Sequence, residues 1–259
     1  MLQNNELHIR ELDLDMINPT MSHIESKKKS KGFFVTVIGK RGTGKSWIIR
    51  ALAYAKRNII PTALAFNGTD GATSFYSQFI PQSFVYNVLD TEKLKGLIKR
   101  QQIALKYIQN PWSLLILDDC FDEPKIFNDK VVTNLYKNGR HYNLLCIVGM
   151  QYALDIKPGL RTNIDGVFIL RDPNMQNRKK IYENYAGVIP DFSLFCAIMD
   201  QVTNDHTALY IHNATNSNDW RDCIFWFKAT EVDFRFGSAD FWKFHAQRYN
   251  DDYQEDFSF

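Results

Sequence analysis

A short apolar run, a glycine-rich octet and a helix-forming stretch follow one another early in this chain. That succession restricts the fold more than any other feature. Phe33-Phe-Val-Thr-Val-Ile38 is apolar and β-rich and reads as a buried strand. The next eight residues, Gly39, Lys40, Arg41, Gly42, Thr43, Gly44, Lys45 and Ser46, fit G-x-x-x-x-G-K-[ST] at every fixed position. Residues 47–56 read as a helix that opens directly after this P-loop. Backbone N–H groups of the loop and the helix N-terminus together make a preformed anion site. In such a site Lys45 reaches the β- and γ-phosphates and Ser46 places its hydroxyl on Mg²⁺.

At 259 residues the chain is long enough for one large domain or two small ones, and 45% hydrophobic content supports a packed core. The net charge of +2 neither reveals nor excludes a nucleic-acid partner, because local patches steer binding more than the sum does. The four cysteines, Cys120, Cys146, Cys196 and Cys223, form no C-x-x-C pair. We read a reduced, intracellular protein without zinc. No segment approaches the ~18 unbroken apolar residues of a membrane span, and the polar, acidic start is not a signal peptide.

Residues 1–31 lack a strong period and end in Glu25-Ser-Lys-Lys-Lys-Ser-Lys31. They read as a flexible or loosely docked arm, with the lysines either a solvated linker or a contact to DNA phosphates. Residues 32–259 read as a single P-loop domain. Strands are expected at 33–38, 62–66, 83–86, 113–117, 143–148, 166–170, 207–212 and 223–227, the last two as a hairpin. Helices are expected at 47–56, 92–109, 128–138, 177–185 and 192–200. A turn is expected at 68–71, and an aromatic tail follows residue 237. This alternation predicts an α/β fold with a mostly parallel sheet flanked by helices.

The run Ser113-Leu-Leu-Ile-Leu117 ends in Asp118-Asp119, the acidic partner that a P-loop needs. Asp118 is the candidate Mg²⁺ residue, acting with Ser46. Asp119 is the candidate for activating a water, the alternative being a turn residue. About 65 residues with two candidate strands separate the two motifs. The acidic strand therefore need not neighbour the P-loop strand. Gln151 closes the next strand, where a polar amide senses a γ-phosphate or is merely a surface group. Arg140 is either a finger supplied to another subunit or a helix-end cation, and Arg161 and Arg171 are rivals. His141, His206 and His212 read as structural or surface residues.

These pieces resemble the poxvirus-type genome-packaging ATPases of large nucleocytoplasmic DNA viruses, within the FtsK/HerA superfamily. The resemblance rests on the following motifs: Gly39 to Ser46; Phe66-Asn-Gly-Thr69 with Phe75-Tyr76 and Ile80-Pro81; the strand ending at Asp119; Asn138-Gly-Arg-His141; Gln151; and Phe241-Trp-Lys-Phe-His245. It implies a RecA-like P-loop ATPase that uses ATP and Mg²⁺, forms a homo-oligomeric ring of five or six, and pumps double-stranded DNA into a preformed capsid. Capsid or vertex proteins are then partners, and the host cytoplasm, viral factory or virion is the place. Gln151 becomes the superfamily's polar sensor and Arg140 the finger acting on a neighbour's ATP. The chain departs from cellular relatives in having Asp-Asp rather than Asp-Glu, and in having Tyr-Ala rather than Arg-Pro after Gln151. The resemblance leaves the DNA contacts open. The candidates are the lysine run at 27–31 and the loop Lys157-Pro-Gly-Leu-Arg161. Two other classes fit the P-loop alone: a small-molecule phosphotransferase and a nucleotide-gated assembly factor.

Overall fold

The computed structural model describes residues 7–25, 31–69, 73–121 and 124–250. Among them, nine strands form one sheet: β1 Arg10–Glu11, β2 Phe33–Ile38, β3 Thr62–Asn67, β4 Val85–Tyr86, β5 Ser113–Asp118, β6 Leu144–Met150, β7 Gly166–Ile169, β8 Thr207–His212 and β9 Ile224–Lys228. Their spatial order is β1-β9-β8-β7-β2-β6-β5-β3-β4. All neighbours run parallel except β7–β8 and β8–β9, the expected hairpin being the second of these. The helices are α1 Met21–Glu25, α2 Lys45–Lys56, α3 Thr73–Ser77, α4 Thr91–Tyr107, α5 Lys130–Asn138, α6 Pro158–Arg161, α7 Met175–Tyr185, α8 Phe192–Val202, α9 Trp220–Cys223 and α10 Ala239–Arg248. This is the P-loop α/β fold with a mostly parallel sheet flanked by helices.

The apolar runs are unbroken because both faces of the sheet are covered. On β5, Leu115 and Leu117 enter one core while Leu114 and Ile116 enter the other. β6 divides Cys146 and Val148 from Leu145 and Ile147 in the same way, as the two-residue period of a strand requires. Leu94, Leu135, Ile181 and Phe195, from α4, α5, α7 and α8, close the first core. Ile48, Ile49 and Leu52 of α2 close the second, together with Phe236 and Phe241 near the C-terminus. Each large side chain buried in this way contributes about 1.5–3 kcal/mol.

The strand order positions the site. β6 lies between the P-loop strand β2 and the acidic strand β5, and it pairs with both. Ile38 stands opposite Met150, and Asp118 opposite Gly149. The parallel strands therefore end level, and the segments after β2, β5 and β6 emerge together at one edge.

The structure departs from the sequence expectations in several places. The strand expected at 83–86 shrinks to β4, because Pro81 leads into a 3-10 turn at Gln82–Phe84. The helix expected at 128–138 splits into a 3-10 turn, Pro124–Asn128, and α5, whose cap is the Asp129 carboxylate. The P-loop helix starts at Lys45 rather than Trp47. The aromatic tail contains α10, with Ser238 as its cap. Only Phe241 of that helix is buried, so no apolar stripe marked it.

The arm is not loosely docked over its described part. β1 adds in parallel to β9, Leu12 and Ile17 are buried, and Lys56 Nζ donates to the Leu14 carbonyl at 2.8 Å. Residues 26–30, and with them most of the lysine run, lie outside the described residues, as do Asp70 and Gly71 of the expected turn. The four cysteines are free. His212 is buried, stacks on Phe33 and meets the Tyr210 hydroxyl at 3.1 Å. Among the described residues no helix is long and apolar enough to cross a membrane.

Candidate functional site

The turn after β2 is shaped by its own sequence. Gly42 and Gly44 hold φ of 78° and 108°, a region that residues with a Cβ adopt only under strain. The Thr43 hydroxyl donates to the Lys40 carbonyl at 2.7 Å and closes the turn. Lys40 reaches Asp172 at 3.0 Å, tying the loop to the segment after β7. Gly44 caps α2 without any side-chain bond, so the helix presents an uncapped first turn to the loop. That end of the helix carries partial positive charge and unpaired donors, which suit a phosphate.

Asp118 ends β5 almost fully buried. Its Oδ2 accepts from the Ser46 hydroxyl at 3.0 Å and from the Tyr76 hydroxyl at 2.6 Å. Hydrogen bonds to a charged group contribute about 1.5–3 kcal/mol each. Its Oδ1 is buried and makes no hydrogen bond within the described protein. Burial pushes this carboxyl above its ordinary pKa, and the neighbouring Asp119 adds to the shift. The Tyr76, Lys45 and Ser46 contacts oppose it. A buried carboxylate oxygen without a partner, beside a serine hydroxyl, fits a hard cation or its water shell. Ser46 and Asp118 therefore fit Mg²⁺ by the chemistry of the oxygens present. Gly149 leaves the space for this carboxylate: a Cβ there would lie 2.0 Å from Asp118 Oδ1.

Asp119 turns out of the sheet with φ 48°, a left-handed conformation that aspartate tolerates better than most residues. That turn brings its Oδ2 within 3.6 Å of Lys45 Nζ and 3.0 Å of the donating Gln151 amide. Its Oδ1 also has no partner within the described protein. Lys45 and Asp119 are both largely withdrawn from solvent, with side chains 6% and 16% exposed, so their attraction is poorly screened. These groups border a cavity of about 920 Å³, which also reaches Trp47, Phe75 and His206. The structure thus brings together the P-loop, Asp118, Asp119 and Gln151.

Arg140 is placed elsewhere. It lies in the 3-10 turn Gly139–Tyr142 that precedes β6, and its carbonyl accepts from Gly32 N at the start of β2. That is the opposite edge of the sheet, about 20 Å from the P-loop at six residues of strand rise. Its guanidinium pairs with Asp165 at 2.6 Å. The Asp165 carboxylate also accepts from Phe34 N, and its pKa is raised by burial. Arg140 therefore cannot serve the site of its own chain. Of its rivals, Arg161 turns inward to the Ile156 carbonyl at 2.7 Å and to Asn184, and Arg171 is exposed just beyond β7. The 157–161 loop carries the one-turn α6, with Leu160 buried and Lys157 bonded to Asn128.

Two residues of the site escaped the sequence reading of roles. His206 is exposed, as expected, but its Nδ1 lies 3.3 Å from the Thr43 carbonyl, at the rim of the P-loop. Asp205 and His206 both have positive φ, 50° and 60°. The sequence shows only an ordinary polar turn there. Tyr76 appeared only as part of a family-like stretch. Its one-turn helix is too short for any periodicity to show which way the hydroxyl faces.

No family model matches the chain. Uncharacterized protein 088R of Invertebrate iridescent virus 3 is 50% identical, covering 91% of this chain and 92% of its own length. Uncharacterized protein 075L of Invertebrate iridescent virus 6 is 45% identical, covering 98% and 100%. Among solved structures, the genome packaging NTPase B204 from Sulfolobus turreted icosahedral virus 2, in complex with AMPPCP, superposes with a TM-score of 0.54 at 14% identity, covering 77% of this chain and 98% of that one. At that identity the likeness establishes the fold, a P-loop NTPase fold such as B204 has. The chain belongs to the family of large-DNA-virus proteins that includes 088R and 075L of the invertebrate iridescent viruses.

Proposed function

We propose that the protein is an ATP hydrolase that drives double-stranded viral DNA into a preformed capsid, working as a homo-oligomeric ring in contact with capsid or vertex proteins. The observation that carries this reading is the meeting of Lys45, Gln151 and Asp119 beside the Ser46–Asp118 pair, in one cavity at the ends of parallel strands. The P-loop backbone, Lys45 and the α2 N-terminus hold the phosphates of ATP. Ser46 and Asp118 would hold Mg²⁺, which would supply positive charge against the phosphate oxygens. Asp119 takes the proton of a water as its oxygen attacks the γ-phosphorus and the bond to the β–γ bridging oxygen breaks, leaving ADP and phosphate. Gln151 orients that water.

A paired carboxylate and amide favour water as the acceptor over a second substrate, and this argues against a phosphotransferase. The role in packaging is carried over from the fold likeness to B204 and from the motif resemblance. Steady-state phosphate release with and without linear duplex DNA tests it. DNA is expected to accelerate turnover several-fold. Turnover indifferent to DNA of any length, in assembled protein, removes the motor reading and leaves the ATPase.

Arg140 lies too far to act on its own chain's site, so as a finger it would act on a neighbouring subunit. Arg140→Ala is expected to bind nucleotide normally and turn over at least tenfold more slowly. Mixing it with Lys45→Ala subunits should restore part of the activity, since each supplies what the other lacks. No recovery at any ratio, in demonstrably mixed assemblies, excludes Arg140 as the finger. Because the substitution strands Asp165, Asp165→Asn in the same chain serves as the stability control.

A further inference from the structure

Tyr76 lies fully buried, with a hydroxyl that a phenylalanine would lack. A hydroxyl taken out of water costs free energy unless it is bonded. This one donates to Asp118 Oδ2 at 2.6 Å, a contact between residues 42 positions apart. The same oxygen accepts from Ser46. Two donors on one oxygen, from separate elements, stop the carboxylate from turning about its otherwise soft terminal torsion. They also leave Oδ1 without a partner among the described residues.

The tyrosine ring is itself held firmly. Phe75 and Phe79 meet it edge-on at centroid distances of 5.3 and 5.9 Å. Arg50, buried in the P-loop helix α2, lies 5.7 Å from the Phe75 ring and 5.4 Å from the Phe79 ring, and it donates to Gln78 at 2.8 Å. Phe75 in turn packs against Trp47, the first residue beyond the phosphate loop, at 5.6 Å. The segment carrying Tyr76 is thus fastened to the helix carrying Ser46.

We propose that Tyr76 is a positioning residue that sets the Asp118 carboxylate for the Mg²⁺ of a bound nucleotide. This rests on reading Ser46 and Asp118 as the Mg²⁺ pair. Tyr76 touches neither nucleotide nor ion; it acts through Asp118 alone. The test is a titration of a fluorescent ATP analogue into the full-length protein, in Mg²⁺ and in EDTA. The wild type is expected to bind more tightly in Mg²⁺. Tyr76→Phe keeps the ring and the Ser46 bond to Asp118. It is expected to match the wild type within about twofold in EDTA and to lose at least fivefold of the Mg²⁺ enhancement. Phe234→Leu is the structural control. It loosens the same cluster, where Phe234 meets Phe79 at 4.8 Å, without removing a bond to Asp118. It is expected to lower the melting temperature and keep the enhancement. A full Mg²⁺ enhancement in Tyr76→Phe overturns the inference while leaving the nucleotide site standing. Equal loss in Phe234→Leu assigns Tyr76 a packing role and overturns it too. A wild type that binds no nucleotide, or binds it indifferently to Mg²⁺, overturns the reading of the site itself.

Discussion

Lys45→Ala is expected to cripple ATP hydrolysis. Phosphate release is expected to fall at least about a hundredfold, since removing one preorganised charge-stabilising donor commonly costs 10²–10³ in rate. The Lys45 side chain is 6% exposed and has Asp119 as its counter-ion, so the substitution acts twice. It removes the cation proposed to meet the phosphates, and it strands a carboxylate whose Oδ1 already lacks a partner in the described protein. Nucleotide affinity should fall with the rate, and both are read in one fluorescence and phosphate-release experiment. Turnover at the wild-type rate would place the nucleotide away from residues 39–46.

Asp119→Asn separates chemistry from binding. Asparagine preserves the size and one acceptor oxygen but cannot take a proton. The rate is expected to fall by about 10²–10⁴, the usual contribution of a positioned base, while the Mg²⁺–nucleotide affinity changes only a few-fold. Asp118→Asn should behave in the opposite sense, losing the Mg²⁺ enhancement of binding first. The two adjacent aspartates are distinguishable because the backbone reverses between them: one carboxylate stays under the sheet with Ser46, the other swings to Lys45 and Gln151. If Asp119→Asn turns over normally, another group must activate the water.

How much of this was legible in the sequence follows from the range of the interactions. The P-loop, the acidic strand and Gln151 announce themselves because each sits at the end of an apolar run, and parallel strands bring such ends together. β5 does not neighbour β2, as expected, but the strand between them is β6, which follows both motifs in sequence, so their spacing alone could not name it. The contact of Tyr76 with Asp118 spans 42 residues and that of His206 with Thr43 spans 163, and no local pattern encodes either. The pairing of β1 with β9 is hidden for the same reason: two polar residues, Arg10 and Glu11, carry no strand signal of their own. The far position of Arg140 follows from topology alone, since a residue that precedes a strand emerges at the edge opposite to one that follows it.

Both outermost strands of the sheet are only two residues long. Behind one of them lies β9, Ile224-Phe-Trp-Phe-Lys228, with the aromatic content of a sticky edge. Without the segment around Arg10, its hydrogen-bonding groups would stand open to a second copy, a template for uncontrolled strand addition. A polar dipeptide too short to recruit a further strand instead covers part of that edge. For a protein proposed to assemble in a fixed, closed number, this would keep association confined to its intended faces and away from open-ended sheet growth.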